Sequence, residues 1–334
     1  MTRKHSSFIL IIATIICLFT GCNNQNKTTE KTGFYFDTVI TITLYGSEKK
    51  MSPILAQCFK QCETYENLLS RTREGSDIYN INHANGKPVI VDTTTIEVLE
   101  TALYYAELSD GVVDPTIAPL SNIWNFSGQS GTDNPQIPDS IEVESLLQHV
   151  DYHTIEINGN EVTLKDPEAQ IDLGFIAKGF IADQLKSYLQ SQGIEHGFIN
   201  LGGNVLTIGS KPDGQPYNIG IQKPFDKQNS AMFSIPVTDQ SVVSSGCYER
   251  YFYVKDTLYH HILDTSTGYP VKNNILGVTI VSSSSMQGDA LSTLCYVLGT
   301  EKAIPLIEET PDVEAIFILD NYSVISTSGA YDLP

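Results

Sequence analysis

The chain has 334 residues and a formal net charge of −19, with 39 acidic against 20 basic side chains. This excess of acid excludes a protein that tracks nucleic-acid phosphates, because such binding needs clustered Lys and Arg. The length allows one large or two smaller domains with a sizeable core.

The N-terminus has the pattern of an export signal. Arg3 and Lys4 precede an apolar run from Phe8 to Phe19, which has the length of a signal peptide rather than of a membrane span. The run leads through Thr20 and Gly21 to Cys22, a pattern typical of lipoproteins whose new N-terminal cysteine is acylated. The alternative is an ordinary cleaved signal in which Cys22 has no role.

Three segments follow from this interpretation. Residues 1–21 are predicted to be a lipoprotein signal peptide, residues 22–32 a lipidated tether, and residues 33–334 one folded domain. Loss of the signal with its two basic residues makes the net charge −21. We expect an exported protein that a lipid anchor holds on the extracytoplasmic side of a membrane.

The predicted elements mix helices with short strands. An alternating strand comes first, from Asp37 to Tyr45. Helical periodicity predicts helices over Met51 to Leu69, Thr94 to Leu108, Ala177 to Gln192 and Gly288 to Leu298. A hairpin from His153 to Leu164 is expected to turn at Asn158-Gly159, Ile171 to Leu173 reads as a strand, and short strands dominate from His196 to Val281. Loops are predicted at Asp110 to Leu120 and Ser127 to Pro138. Without regular βαβ alternation, the mixture favours an α+β fold.

Two glycine-bearing segments suggest an anion and metal site. In the first, Gly174 follows Asp172, and Lys178 and Gly179 lie in the first turn of a helix, where free N–H groups favour an anion such as a diphosphate. Asp172 could instead cap a turn, with Lys178 solvated. In the second, Asp289 and Thr293 are one helical turn apart and offer Mg²⁺ a carboxylate and a hydroxyl. The same residues also fit a plain helix N-cap.

Adjacent histidines mark a third segment. His260 and His261 precede an apolar pair and Asp264, and a general base near neutral pH is most often a histidine. Neighbours on a strand face opposite sides, so one of the two is expected to point outward without a role. Cys58 and Cys62, one helical turn apart, are predicted to be packing residues.

Together and in this order the segments resemble the ApbE family of flavin transferases. The matching pieces run from Phe36 to Thr293, and they are Phe36-Asp-Thr38, Leu69-Ser70, Ser76-Asp77, Asn82, Ser109-Asp-Gly-Val-Val-Asp-Pro-Thr116, Pro119-Leu120, Trp124, Asp172-Leu-Gly-Phe-Ile-Ala-Lys-Gly179, Asp183, Asn200-Leu-Gly-Gly203, Ser244-Ser-Gly246, Tyr248-Glu-Arg250, His261-Ile-Leu-Asp264, Thr267-Gly-Tyr-Pro270 and Asp289-Ala-Leu-Ser-Thr293.

The resemblance implies Mg²⁺-dependent transfer of FMN from FAD to a Thr or Ser hydroxyl of an acceptor flavoprotein, with AMP released. It implies that residues 33–334 form one flavin transferase domain whose acceptors are membrane-associated redox proteins. Two alternatives use the same residues: a diphosphatase that cleaves FAD to FMN and AMP with water, and a lipoprotein that binds FAD without turnover.

The resemblance also implies roles for single residues. Asp289 and Thr293 would hold Mg²⁺ with the backbone carbonyl of Phe175. His261 would activate the acceptor hydroxyl, with Asp264 as its orienting partner and Lys178 offsetting phosphate charge. The positions that align with the flavin pocket of the family are Phe36, Thr72, Val113, Asp114, Pro115, Thr116, Asp172, Lys178 and Leu263. Cys247 departs from the acidic or amide residue common in the family and, as a thiol, allows a nucleophile interpretation.

Overall fold

The computed structural model describes residues 27–129, 134–226, 228, 230–327 and 331. Its strands are β1 (Thr28–Tyr35), β2 (Thr38–Tyr45), β3 (Val89–Ile90), β4 (Ile155–Asn158), β5 (Glu161–Leu164), β6 (Gly197–Leu201), β7 (Asn204–Ile208), β8 (Tyr217–Gln222), β9 (Ala231–Val237), β10 (Ser241–Gly246), β11 (Tyr251–Val254), β12 (Thr257–His260), β13 (Ile275–Ser282), β14 (Val313–Leu319) and β15 (Val324–Ser326).

Helices of very different lengths connect and cover these strands. They are α1 (Glu48–Leu69), α2 (Asp77–Asn82), α3 (Thr93–Leu108), α4 (Ala118–Trp124), α5 (Phe126–Gln129), α6 (Ser140–Leu147), α7 (Ala177–Ser191), α8 (Ser285–Leu298) and α9 (Thr300–Glu308), with one 3₁₀ turn at Tyr152–Thr154. No helix within the described ranges combines the length and the apolar character that crossing a bilayer requires.

A central sheet of eight strands organises the molecule. Its order is β1-β2-β6-β7-β10-β13-β14-β15, and each neighbouring pair is antiparallel. Three small antiparallel sheets lie outside it, with the orders β11-β12, β3-β5-β4 and β8-β9. The expected α+β fold is confirmed.

Both faces of the central sheet are buried, which explains why its middle strands are almost continuously apolar. On one face α1, α7, α8 and α9 bury a large core that includes Ile280 and Phe317. On the other face the β8–β9 hairpin buries Val281 and Ile318 of the same strands. Alternate residues of β13 and β14 thus enter two different cores, so both sets have to be apolar.

Helices α7 and α8 cross closely at Gly179. A Cβ atom built at this position would lie 2.2 Å from the carbonyl oxygen of Ser285 and 2.6 Å from the Cα atom of Met286. Both are backbone atoms, so no change of rotamer relieves the overlap. The structure thus places the backbone of α8 directly against Gly179.

We therefore expect Gly179→Ala to lower the free energy of unfolding by about 3 kcal/mol, the upper part of the range for overpacking a core. Ser187→Ala, on the exposed side of the same helix, is the control and should change it by less than about 1 kcal/mol. Urea unfolding followed by circular dichroism measures both values. Equal stability of the two variants would contradict the close crossing.

Four predicted helices are confirmed as α1, α3, α7 and α8, each starting within three residues of its expected position. The predicted hairpin is confirmed as β4–β5, but its two-residue loop is Gly159-Asn160, because Asn158 still pairs with Glu161. The strand expected at Ile171 to Leu173 is wrong, since only an isolated bridge between Ile117 and Gln170 precedes this extended segment.

Three predicted loops or tethers are shorter than expected. Helix α4 begins inside the predicted loop Asp110 to Leu120, and α5 includes the first residues of the loop Ser127 to Pro138. Residues 28–32 were predicted to be tether but belong to β1, which pairs with β2 over its full length. The predicted signal peptide and Cys22 lie outside the described residues.

Candidate functional site

Two hairpin turns and the end of a third strand bring the matched segments to one end of the central sheet. The β1–β2 hairpin turns at Phe36-Asp37, and the β6–β7 hairpin turns at Gly202-Gly203. These turns are in contact, because Gly202 N–H donates to the carbonyl of Val39 at 3.1 Å. Strand β10 ends at the same end of the sheet. It is antiparallel to β7, and its residues after Val242 extend beyond the start of β7, where the Gly202-Gly203 turn lies.

A buried carboxylate joins the two glycine-bearing segments that the sequence singled out. Asp289 is 3 % exposed, and its Oδ1 lies 3.2 Å from the Lys178 ammonium. Its Oδ2 accepts a hydrogen bond from Gly179 N–H at 3.0 Å. Lys178 also donates to the carbonyl of Gly174 at 2.9 Å. Lys178 is therefore not simply solvated, and the two segments form one site.

The bond from Gly179 to Asp289 changes the start of α7. In a regular helix Gly179 N–H would donate to the carbonyl of Phe175, but α7 begins only at Ala177. Within the described part of the chain, the Phe175 carbonyl accepts no hydrogen bond. A free backbone carbonyl thus lies four residues before Gly179, at the position for which the family resemblance implied a metal ligand.

Thr293 lies one turn after Asp289 on α8. Its hydroxyl is 3.3 Å from the hydroxyl of Ser245, which is 2.8 Å from the hydroxyl of Ser292. The available ligands are therefore a carboxylate, a hydroxyl and a carbonyl, all of them hard oxygen donors that suit Mg²⁺ when phosphate and water complete its shell. Across the described residues, no group of three His, Cys, Asp or Glu side chains forms another candidate metal site.

The alternative that Asp289 is only a helix cap is wrong. Ser284 is the N-cap of α8 and accepts a hydrogen bond from Gln287 N–H at 3.3 Å. Asp183 on α7 accepts further bonds from the Ser284 hydroxyl and from Ser285 N–H, both at 2.8 Å. With the helix start satisfied by these groups, the Asp289 carboxylate remains available for the site.

Asp172 caps its turn, as one alternative from the sequence had it, and it also forms an ion pair. Its Oδ1 accepts a hydrogen bond from Gly174 N–H at 2.8 Å, as a turn cap does, and its Oδ2 pairs with Arg71 Nε at 2.9 Å. Arg71 is a residue to which the sequence assigned no role. It holds the Asp172 carboxylate in place and adds a second cation to the segment that leads to Lys178.

The predicted pocket segment Val113 to Thr116 is buried and tightly bonded. Asp114 Oδ1 accepts hydrogen bonds from Thr116 N–H at 2.7 Å and from the Thr116 hydroxyl at 2.6 Å. Its Oδ2 accepts from Tyr152 N–H at 2.9 Å. Burial raises the pKa of Asp114 despite these bonds. The carboxylate thus stabilises the loop, and the Pro115 carbonyl receives Asp172 N–H at 2.7 Å.

The remaining predicted pocket residues surround this region. Phe36 lies in the hairpin turn, and its N–H donates to Glu66 at 2.6 Å. Thr72 lies in the exposed loop after α1, where its N–H is 3.3 Å from the Ser70 hydroxyl. Leu263 is buried in a small core around Trp124. Their assignment to a flavin pocket stays a prediction.

His261 belongs to a charged cluster beside Asp289. Burial first, and then the nearby Arg250, His260 and Lys178, lower the pKa of His261 well below its usual value. Its buried Nδ1 has no hydrogen-bond partner among the residues that the structure describes. The imidazole is thus neutral at physiological pH, as a general base requires.

The expected partnership between His261 and Asp264 is not present. Asp264 Oδ1 instead accepts hydrogen bonds from Ser266 N–H at 2.8 Å and from the Ser266 hydroxyl at 2.6 Å. This bonding stabilises the turn before Gly268, whose carbonyl receives the indole N–H of Trp124 at 2.8 Å. Asp264 therefore shapes the loop that follows His261 rather than bonding to the imidazole.

Glu249 is a functional candidate that residue-by-residue reasoning missed. Its side chain is exposed to solvent, yet enough protein lies around it to disfavour its charged form. Burial raises the pKa of Glu249 to about 7, with Lys178 and Arg250 opposing the shift and Asp289 adding to it. The matching piece Tyr248-Glu-Arg250 was visible in the sequence, but nothing there placed it beside Asp289.

His260 is the structural member of the histidine pair. It is 4 % exposed, its Nε2 lies 3.0 Å from the Val271 carbonyl, and its ring meets Tyr296 edge-on. Burial lowers the pKa of His260 to about 4. The expectation that one of the two points outward without a role is wrong, because His260, the member outside the site, is buried and packs in the protein.

The pKa of His260 predicts acid sensitivity. Between about pH 6.5 and pH 4 the unfolded chain binds a proton on His260 that the folded chain does not, so the free energy of unfolding falls as the pH falls. The loss amounts to about 3 kcal/mol over this window. Urea unfolding of wild type and His260→Phe at pH 7 and pH 4.5 tests it. An equally steep pH dependence in the variant would contradict this origin.

The four cysteines that the structure describes, Cys58, Cys62, Cys247 and Cys295, are buried and free. Burial raises the pKa of Cys247 to about 11, so its thiol is protonated at neutral pH and the nucleophile interpretation is not supported. Burial raises the pKa of Cys58 and of Cys62 to about 12, and both pack in the main core as predicted.

Comparison with known proteins gives the class of this fold and site. The chain is 35 % identical over 294 residues to the FAD:protein FMN transferase of Klebsiella pneumoniae (strain 342), covering 86 % of this chain and 88 % of that protein. It is 30 % identical to the FAD:protein FMN transferase of Treponema pallidum (strain Nichols), and this match covers 98 % of this chain and 96 % of that protein.

Solved structures agree with the sequence matches. The ApbE protein of Thermotoga maritima superposes with a TM-score of 0.81 at 30 % identity, covering 90 % of this chain and 97 % of that one. The flavin transferase ApbE of Vibrio cholerae superposes with a TM-score of 0.79 at 28 % identity, again covering 90 % of this chain and 97 % of that one. The sequence model of the ApbE family matches residues 36–317. The chain belongs to the ApbE family, as its motifs indicated.

Proposed function

We propose that this protein transfers FMN from FAD to a Thr or Ser hydroxyl of an acceptor flavoprotein, with AMP as the other product. Membership of a family whose relatives are named FAD:protein FMN transferases supports the reaction class. The observation that carries the proposal is the buried Asp289 carboxylate, held by Lys178 and Gly179 beside the free Phe175 carbonyl. A protein that only bound FAD would have no need of such a carboxylate at its diphosphate.

The proposed reaction is a single displacement at phosphorus. The acceptor oxygen forms a bond to the phosphorus on the riboflavin side of FAD, and the bond from that phosphorus to the oxygen bridging to AMP breaks. The hydroxyl proton goes to the neutral imidazole of His261. Lys178 and Arg250 offset the negative charge of the diphosphate, since phosphoryl transfer depends mainly on positioning and charge stabilisation.

The residues around Asp289 fit Mg²⁺. Asp289, Thr293 and the Phe175 carbonyl would hold it, and when bound the ion neutralises charge that develops on the diphosphate and on the AMP leaving group. Lys178, now paired with Asp289, would then be free to face a phosphate oxygen. Glu249 balances the cations on the other side of the site.

Incubation with FAD and Mg²⁺, with and without an acceptor protein, tests the proposal. We expect AMP to appear only with the acceptor, together with a mass gain of the acceptor that equals FMN. AMP release at the same rate without acceptor would instead indicate a FAD diphosphatase. Intact FAD after long incubation in the presence of acceptor would indicate a FAD-binding protein without turnover.

We further propose that a lipid on Cys22 anchors the enzyme outside the cytoplasm, near membrane-associated redox acceptors. The support is the signal sequence and the small residues before Cys22. A shared membrane would raise the effective concentration of enzyme and acceptor without altering the site. Cys22→Ser should therefore leave the rate on a soluble acceptor unchanged while the protein leaves the membrane fraction. Continued membrane association of this variant would contradict the anchor.

A further inference from the structure

Two exposed apolar side chains face each other on the β1–β2 hairpin. Phe34 is 66 % exposed and Val39 is 54 % exposed. They are direct cross-strand partners, so their side chains lie on the same face of the sheet. The opposite face of β1 is covered, because Gly33 lies directly against Phe59 of α1. The pair Phe34 and Val39 thus forms an apolar patch open to solvent.

The β8–β9 hairpin, which covers this face of the central sheet, does not extend as far as the patch. The β8–β9 hairpin packs on β10, β13 and β14. The core beneath the β8–β9 hairpin also includes Tyr45, which belongs to the β1–β2 hairpin. Tyr45 pairs with Thr28, at the far end of that hairpin from the turn. Phe34 and Val39 lie next to the turn and therefore beyond this cover.

Strand β1 also offers free backbone groups. It is the outermost strand of the central sheet, and its only partner within the described chain is β2. The hairpin has the two-residue turn Phe36-Asp37, with φ of 53° and 55°. Tyr35 and Thr38, which flank this turn, therefore form the hydrogen-bonded pair nearest to it. Hydrogen-bonded pairs alternate along an antiparallel ladder. The N–H and C=O groups of Phe34 and Thr32 therefore point outward from the sheet.

The patch is continuous with the site. Phe36 N–H donates to Glu66 at 2.6 Å, and Glu66 pairs with Arg73 at 2.6 Å. In the same loop, Arg71 pairs with Asp172 at 2.9 Å, in the segment that leads to Lys178. A polypeptide chain on the outer edge of β1 would therefore run toward the candidate site.

We propose that the edge of β1 with the patch Phe34 and Val39 binds an extended segment of the acceptor protein, which adds to the sheet as a further strand and directs its hydroxyl into the site. This inference rests on the proposed function. Backbone hydrogen bonds give such strand addition its affinity, and side-chain contacts give it specificity. The segment should carry an apolar residue opposite Phe34, on the same face of the sheet as the patch.

The acceptor fits this surface better than the membrane does. The described chain enters β1 at Lys27, and the eight residues of β1 then run from there toward the turn. At roughly 3.4 Å per residue the patch lies about 20 Å from that entry point. A lipid anchor on Cys22 would hold the entry end near the bilayer, so the patch and the site would face the space in which acceptor domains lie.

The test uses the Cys22→Ser form with a soluble acceptor and no lipid. The double variant Phe34→Ser, Val39→Ser is compared with Ile90→Ser, which removes a residue that is 80 % exposed on the separate strand β3. We expect KM for the acceptor to rise about tenfold or more in the double variant. KM for FAD and kcat at saturating acceptor should stay within about twofold of wild type, and Ile90→Ser should match wild type in all three.

A second pair of variants tests the backbone edge. Thr32→Pro removes one outward N–H, whereas Thr32→Val keeps it and removes only the hydroxyl that lies 3.1 Å from Thr41. We expect a raised acceptor KM for Thr32→Pro alone, with melting temperatures confirming that both variants fold. Wild-type KM values in both the patch and the edge variants would overturn the docking surface. Failure of the wild type to label any acceptor would instead overturn the proposed function.

Discussion

Asp289→Asn should abolish FMN transfer with little effect on the fold. The amide has the shape of the carboxylate and can still accept the hydrogen bond from Gly179, but it lacks the charge that attracts Mg²⁺ and Lys178. The ion supplies several kcal/mol of charge stabilisation in phosphoryl transfer, so we expect kcat to fall by about a thousandfold. Mass spectrometry of the acceptor measures labelling, and calorimetry measures Mg²⁺ binding in the presence of FAD.

Asp166→Asn is the matched control for this change. Asp166 is likewise a paired carboxylate, with His149 Nδ1 at 2.7 Å, but it is more exposed than Asp289 and lies outside the segments of the site. The control should label the acceptor at the wild-type rate. Labelling by Asp289→Asn within about tenfold of wild type would refute the metal site, because so small a loss is less than one charged ligand contributes.

His261→Gln should retain FAD binding and lose about a hundredfold to ten-thousandfold in kcat, the usual contribution of a general base. The glutamine keeps a polar side chain of similar length but cannot take up the acceptor proton. Equilibrium dialysis with FAD separates binding from the rate of acceptor labelling. A variant that binds FAD and transfers FMN at the wild-type rate would refute the role of His261.

The lowered pKa of His261 adds a pH prediction. Because burial and the neighbouring cations keep the imidazole neutral, it should stay available as a base below pH 6.5. The acid limb of kcat/KM in wild type should therefore lie below pH 6.5 rather than at it. A profile that loses half its rate at the ordinary pKa of histidine would show that the imidazole is not held neutral in the working enzyme.

Most of the elements could be predicted because their signals are local. The periodicity of α1 and α3 and the turn signal of the β4–β5 hairpin depend on residues a few positions apart, and the structure confirms these helices and the hairpin, with its loop shifted by one residue. The strand β1 was missed since its sequence is polar and its stability comes from pairing with β2, which no local pattern records. The segment at Ile171 was misread because apolar residues in an extended loop resemble a buried strand.

The candidate site divides in the same way. Motif order alone identified the family and pointed to Asp289, Thr293, Lys178 and His261. It could not reveal that Asp264 accepts hydrogen bonds from Ser266 rather than from His261. Nor could it reveal that the Asp114 carboxylate is hydrogen-bonded to Thr116 of its own loop. Several side chains were chemically suitable in each case, and their distances depend on how distant segments pack.

The sequence by itself determined the fold class, the family and the residue types of a metal and phosphate site, because these follow from composition, periodicity and the order of short motifs. Only the tertiary structure decided how Lys178 and Asp289, 111 positions apart, meet at the crossing of two helices. It also placed Glu249 beside them and left the Phe175 carbonyl free. Such pairings depend on the close packing of α7 on α8, which Gly179 permits and no local pattern encodes.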